Sequence, residues 1–342
     1  QALYRNAEGT VLDSPFQAEP TPPGSIFCCR VFFNSGIVDH MKRNLSVLLT
    51  VLLALLTVPA LAQKPAYPPE MPGSRAEIYR STEAVDLKAW IFVPSGHNAE
   101  EARPAIVFFF GGGWNGGTPG QFRPQAQYLS ERGMVAIAVD YRVRSRQGTM
   151  ANTAVSDAKA AVRWVRMNAD RLGVDPKRIA ASGGSAGGHL AAATALLPGH
   201  DDTGVGSKIS AAPNALVLFN PVLITAPIPG LADENLEKFR RLEPRLGADP
   251  QSMSPYHHVR PGLPPTIIFH GEEDKTVPYR TIELFTEAMK SAGNSCELVA
   301  YPGEGHGFFN AHRADASAYR DTMSRLDKFL VKLGWLQQRK SN

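Results

Sequence analysis

The chain has 342 residues, 43% of them hydrophobic and 20% charged, and its 36 lysines and arginines against 32 aspartates and glutamates leave a formal charge of +4. That is the composition of a soluble globular protein with material for a sizeable core, one large domain or two ordinary ones. The small charge, with no basic cluster interleaved with aromatics, argues against nucleic acid as a partner, and Cys28, Cys29 and Cys296 follow neither a disulfide framework nor zinc spacing.

Residues 1–40 show no sustained periodicity and are expected to be upstream sequence, with translation starting at Met41. Met41-Lys42-Arg43, the charge-free run from Leu45 to Leu61 and the A-x-A site Ala60-Leu61-Ala62 read as a signal peptide over residues 41–62. The run is nearly long enough for a transmembrane anchor, but Pro59 and the small residues spaced for cleavage favour a signal. The expectation is export to the periplasm or beyond, with no stable membrane association once the signal is removed. Residues 63–75 carry Pro65, Pro68, Pro69 and Pro72, the composition of a semi-rigid linker, and the domain is expected over 76–337.

From there strand-like and helix-like segments alternate, which predicts an α/β fold: an eight-stranded, mostly parallel sheet with helices on both faces. The strands are read at Glu77 to Ser81, Leu87 to Val93, Ala105 to Phe110, Val135 to Asp140, Arg178 to Ser182, Ala215 to Asn220, Thr266 to His270 and Cys296 to Tyr301. The central ones are near-continuous apolar runs, as in strands covered on both faces. The clearest helix runs from Ala151 to Leu172, where Val155, Ala158, Val162, Val165, Ala169 and Leu172 recur at steps of three and four, and Gly173 ends it. Weaker helical patterns cover Gln121 to Arg132, Tyr279 to Ala292 and Ala316 to Leu333. Cys296 reads as a small buried strand residue.

The stretch Ser182-Gly183-Gly184-Ser185-Ala186-Gly187-Gly188 joins a strand to the Ala/Leu-rich helix that follows. Gly183-x-Ser185-x-Gly187 fits a nucleophile elbow, in which a serine is held at a strained turn with its hydroxyl clear of the sheet. Small residues two before and two after are needed because side chains would collide across the bend. Such a serine needs a base, and the base needs a carboxylate. Asp274, in the loop after the seventh strand, and His306, after the eighth, lie where open α/β sheets place their sites. Glu272 and Glu273 compete with Asp274 and read as solvated charges. His189, His270, His257, His258 and His312 compete with His306 and read as structural or surface residues.

With these motifs the chain resembles the α/β-hydrolase superfamily from about Glu77 to Leu336, and more closely the carboxylesterases akin to bacterial acetyl-xylan and feruloyl esterases and the hormone-sensitive-lipase-like group. The resemblance implies Ser185 as nucleophile, Asp274 as acid and His306 as base. Phe110-Gly111-Gly112-Gly113-Trp114 resembles the family's His-Gly-Gly-Gly loop, which implies an oxyanion hole from the N–H groups of Gly112, Gly113 and Ala186. Phe110 departs from the usual histidine and leaves open what braces the loop. Trp114 is a candidate substrate-binding residue whose plainer reading is packing. Asp140-Tyr141-Arg142 and Asp157 also match family positions and read as loop and helix anchors.

The resemblance implies hydrolysis of short-chain acyl esters through a Ser-His-Asp acyl-enzyme, with acetyl or feruloyl esters on plant polysaccharide as candidate substrates. It calls for no metal and no cofactor, and the partner is a small-molecule or polysaccharide-linked ester. The insertion over 224–263 is a candidate lid, with a solvated surface helix as its rival. A prolyl-oligopeptidase-like peptidase and a non-catalytic binding protein of the same fold are the other readings.

Overall fold

The computed structural model describes residues 67–339 except 202–205, 207, 230 and 232–233, with only the backbone of 234–236. The expected upstream sequence, the signal peptide and linker residues 63–66 lie outside the described residues. Among those described, no helix is long and apolar enough to cross a membrane.

Eight strands form one sheet: β1 Arg75–Ser81, β2 Asp86–Phe92, β3 Arg103–Phe109, β4 Val135–Val139, β5 Val174–Gly184, β6 Ala215–Phe219, β7 Thr266–Gly271 and β8 Cys296–Tyr301. Their order is β1-β2-β4-β3-β5-β6-β7-β8; β2 runs antiparallel to both neighbours, and every pair from β4 onward is parallel. The sheet is therefore eight-stranded and mostly parallel, as the sequence predicts. Its central strands β3, β4, β6 and β7 are almost wholly buried, which is why they read as unbroken apolar runs.

The helices are α1 Arg123–Glu131, α2 Arg144–Gln147, α3 Ala151–Met167, α4 Ala169–Leu172, α5 Ala186–Leu196, α6 Glu234–Leu246, α7 Tyr279–Ser291 and α8 Ser317–Lys332. The single helix expected from Ala151 to Leu172 is two. Asn168 separates α3 from α4, and its side-chain amide donates to the Trp164 carbonyl at 2.8 Å. A short polar side chain that competes for the helix's own carbonyls interrupts the ladder. The apolar stripe runs on across the break, with Val155, Ala158, Val162, Val165, Ala169 and Leu172 all buried. At the other expected helix, Gln121 to Arg132, the first turn is a 3₁₀ segment, Pro119–Phe122, capped by the Thr118 hydroxyl. β5 is longer than expected because Val174 pairs with Arg103 across a register shift. Cys296 is buried in β8, and burial pushes its thiol up to about 11, out of reactive range.

Asp157 on α3 joins layers that the sequence does not show to be neighbours. Fully buried, it accepts from the backbone and guanidinium of Arg142, after β4, and from Arg80 on β1. Removing one member of a buried ion network leaves desolvated charge behind. Asp157→Ala is therefore expected to lower stability by about 3 kcal/mol, read as a shift in urea midpoint; a loss under about 1 kcal/mol would mean the network is redundant.

Candidate active site

β5 ends at Gly184 and α5 begins at Ala186, so Ser185 is the whole turn between them. Its φ of 54° and ψ of −118° form a strained conformation for a residue with a Cβ. The flanking glycines are required by proximity. A Cβ on Gly187 would stand 2.0 Å from the Phe109 carbonyl oxygen, and one on Gly183 would stand 2.4 Å from the backbone of Gly187. α5 is buried on every side, and its N-terminal end, with a partial positive charge, begins directly after the serine.

His306 comes to this serine from the loop after β8. Its Nε2 lies 2.9 Å from Ser185 Oγ, and its Nδ1 lies 2.7 Å from Asp274 Oδ2. Phe308 and Phe309, both buried, hold the loop down; the Phe309 ring packs on Phe219 at 4.8 Å and on Phe122 at 5.7 Å. Asp274 is held from its other side, because Oδ1 accepts from the N–H groups of Thr276 and Val277 at 2.8 and 2.9 Å. Burial alone would raise its carboxyl, but the His306 and Val277 hydrogen bonds outweigh that and hold it below the usual range, so the group is a carboxylate at neutral pH. Glu272 and Glu273 are exposed.

The glycine loop after β3 faces the same point. Gly112 and Gly113 both have positive φ, 129° and 62°, and a Cβ on Gly112 would meet the Gly116 carbonyl at 2.4 Å. Among the described residues the N–H groups of Gly112, Gly113 and Ala186 have no backbone acceptor, whereas that of Gly111 donates to Gln121 Oε1 at 2.6 Å. Phe110 makes none of the polar contacts a histidine could make there. It is buried and stacks on Tyr141 at 4.0 Å, and the Tyr141 hydroxyl donates to the Phe110 carbonyl at 2.7 Å. Gln121 then donates to Asn310, which donates to the Gly307 carbonyl, so the glycine loop and the His306 loop are tied together. These contacts brace the loop in the histidine's stead.

Two hollows meet at Ser185. One, of about 310 Å³, runs beneath α6 and is walled by Val222, Ile224, Phe239, Leu242 and Val277. The other, of about 880 Å³, has His306, Gln121, Asn310, Thr149, Arg144 and Arg245 on its walls, Arg245 lining both. Trp114 lines both, but only 2% of it is exposed, and it meets His189 edge to face at 5.1 Å. It is a packed wall residue of the site. His189 is buried, and burial holds it down to about 4, so it is neutral. The helix expected as a lid or surface segment is α6, whose Phe239 is buried against Ile224 and Ile228.

Three site neighbours had no motif to announce them. Asn220, at the end of β6, has a φ of 33°, accepts from Gly307 N–H at 3.2 Å and lies 3.5 Å from His306 Nε2. His270, fully buried, donates from Nε2 to the Val277 carbonyl at 2.9 Å and lies 3.4 Å from Asp274 Oδ2. Gln121 is the third. Their one sequence signal is a polar residue closing an apolar strand, which Asn220 and His270 share and Gln121 lacks. Among the described residues no group of three histidines, cysteines or carboxylates could hold a metal ion.

A strained strand-turn-helix serine, an imidazole and carboxylate in hydrogen-bonded series, and a glycine loop beside them define the serine hydrolases built on this sheet. The chain belongs to the α/β-hydrolase fold family, whose pattern it matches over residues 106–310. Among solved structures, esterase 2 of Thermogutta terrifontis phosphonylated by sarin is 52% identical, with a TM-score of 0.77 over 80% of this chain and 100% of that one. The isoprenylcysteine alpha-carbonyl methylesterase ICME of Arabidopsis thaliana is 30% identical over 63% of this chain and 52% of its own length. Esterase LipC of Mycobacterium tuberculosis is 28% identical over 60% and 53%. The chain thus spans about half the length of the curated relatives it matches.

Proposed function

We propose that this chain is a serine carboxylesterase acting on short-acyl esters. The observation that carries the reading is the unbroken series from Ser185 Oγ through His306 to Asp274, at 2.9 and 2.7 Å, where the two hollows meet. Ser185 attacks the ester carbonyl and gives its proton to His306 Nε2; the oxyanion is held by the N–H groups of Gly112, Gly113 and Ala186. Nε2 then returns that proton to the leaving alcohol oxygen, the C–O bond breaks, and an acyl-enzyme remains. Water, deprotonated by the same nitrogen, attacks the acyl carbon; the bond to Ser185 Oγ breaks as Nε2 returns that proton to Oγ, and the acid leaves. Removing one oxyanion donor typically costs about 100- to 1000-fold, so the glycine loop contributes several kcal/mol to the rate.

The position of His306 assigns the two hollows. The imidazole must reach the leaving oxygen, and of the two it lines only the larger hollow, which therefore takes the alcohol portion. The smaller hollow takes the acyl group. At about 310 Å³ it has roughly twice the volume of a cavity that holds benzene, about 150 Å³. That suits a short chain or one substituted ring such as a feruloyl group. The Thermogutta esterase solved with propionate and with butyrate bound supports the same reading. Acetyl or feruloyl esters on plant polysaccharide are the candidate substrates of this reading, the larger hollow taking the alcohol.

A panel of 4-nitrophenyl esters tests this. Because each methylene that finds no room costs about 1 kcal/mol or more, kcat/KM is expected to peak at acyl chains of about two to four carbons and to fall more than about tenfold by ten carbons. A preference for ten carbons or more would rule the short-acyl reading out.

A further inference from the structure

The leaving-group hollow is lined by the guanidinium groups of Arg144 and Arg245 and by no aspartate or glutamate. Arg245 stands where the two hollows meet and lines both; the acyl-side hollow also has Lys238 and Lys275 at its rim, and Arg241, which pairs with Glu237 at 3.3 Å. A chain with 36 basic residues against 32 acidic ones does not produce such walls by surplus alone. Some arginines elsewhere pair with acids, Arg103 with Glu101, Arg132 with Asp327 and Arg171 with Glu77, whereas Arg260 bonds only backbone carbonyls. Among the described residues, neither Arg144 nor Arg245 has an ion-pair partner.

Both arginines are exposed, on backbone that is held beside the reacting centre. The N–H of Arg144 donates to the Trp114 carbonyl at 3.0 Å, so its backbone is bonded to the glycine loop itself. Arg245 precedes the fully buried Leu246 at the end of α6, and the next carbonyl, of Gly247, accepts from Asn152 at 2.8 Å. Its Nη1 approaches Gly113 so closely that a Cβ there would stand 3.2 Å away. A cleft lined by one sign of charge concentrates the opposite sign, and a guanidinium presents a rigid fork of donors matched to carboxylate or phosphate.

Resting on the esterase reading above, we infer that the natural substrate carries a negative charge on its alcohol portion, a carboxylate or a phosphate, and that Arg144 and Arg245 are the specificity residues that bind it.

The test uses acetyl esters that differ only in the alcohol: 4-acetoxybenzoate and 4-acetoxyphenyl phosphate carry the anion, and 4-acetoxybenzamide is neutral. Each kcat/KM is divided by that ester's own hydroxide-catalysed rate, and the anionic-to-neutral ratio is taken within each enzyme, so that a general loss of activity cancels. The full chain is expected to prefer at least one anionic ester by about tenfold, the combined worth of two partly exposed charge pairs, and to lose the preference in high salt. Which anion is preferred separates carboxylate from phosphate. The double variant Arg144→Gln/Arg245→Gln is expected to bring the ratio near one, and Arg144→Lys/Arg245→Lys to keep most of it. Hydrolysis of all three esters without discrimination, or a preference that survives in the glutamine variant, overturns the inference. Hydrolysis of none by folded wild-type protein is a different result, which removes the esterase reading and this inference with it.

Discussion

Ser185→Ala is expected to lower kcat toward a nitrophenyl acetate by about 10⁴- to 10⁶-fold, and wild-type protein treated with a fluorophosphonate is expected to gain the adduct's mass on the peptide containing Ser185. Removing the hydroxyl closes the covalent route and leaves only what binding and the oxyanion donors supply. Alanine is the informative replacement because it keeps the Cβ, and with it the strain at a φ of 54°, so the elbow is unchanged. Thermal unfolding of the variant is accordingly expected to stay within a few degrees of wild type. Activity within about tenfold of wild type, or an adduct on another peptide, contradicts Ser185 as nucleophile.

Asp274→Asn is expected to cost about 10⁴-fold in kcat, for a reason visible in the hydrogen bonds. The two N–H groups of Thr276 and Val277 face one oxygen of the side chain, so an amide at 274 keeps its carbonyl there and turns its NH₂ toward His306 Nδ1. Nδ1 must then accept, the imidazole proton moves to Nε2, and Nε2 can no longer take the proton of Ser185. The pH dependence follows from the same carboxylate. With its pKa held below the usual value, Asp274 stays ionised through the range in which an ordinary imidazole titrates, about 6.5. The wild-type acid limb of kcat/KM is therefore one proton wide and falls about tenfold per pH unit. In the variant the charge that favours an imidazolium is gone, and the limb of the residual activity moves to lower pH. A wild-type profile flat to pH 4, or a variant limb that moves upward, would contradict the roles assigned here.

The eight strands were legible because buried parallel strands are written as short apolar runs of β-branched and aromatic residues between turn signals, as in Ala105 to Phe110 and Thr266 to His270. The elbow was legible because its requirement is local: glycines at 183 and 187 are needed by atoms a few residues away in the chain or on the next strand. The break at Asn168 is not legible in the sequence because the apolar stripe crosses it without interruption, and only the side chain's hydrogen bond to Trp164 reveals it.

What the sequence determined by itself was the alternation of strand and helix, the nucleophile turn, the glycine loop, and an acid and a base past the last two strands. Each is a short-range pattern, dictated by backbone sterics and the period of burial. Only the tertiary structure decided which groups meet: that Tyr141 and Gln121 replace the missing histidine at Phe110, that Asn220 and His270 flank His306 and Asp274, and that Arg144 and Arg245 share a wall. These partners are far apart in the chain, and their side chains come together only because the crossovers of the sheet bring its loops to one end, a juxtaposition that no local pattern encodes.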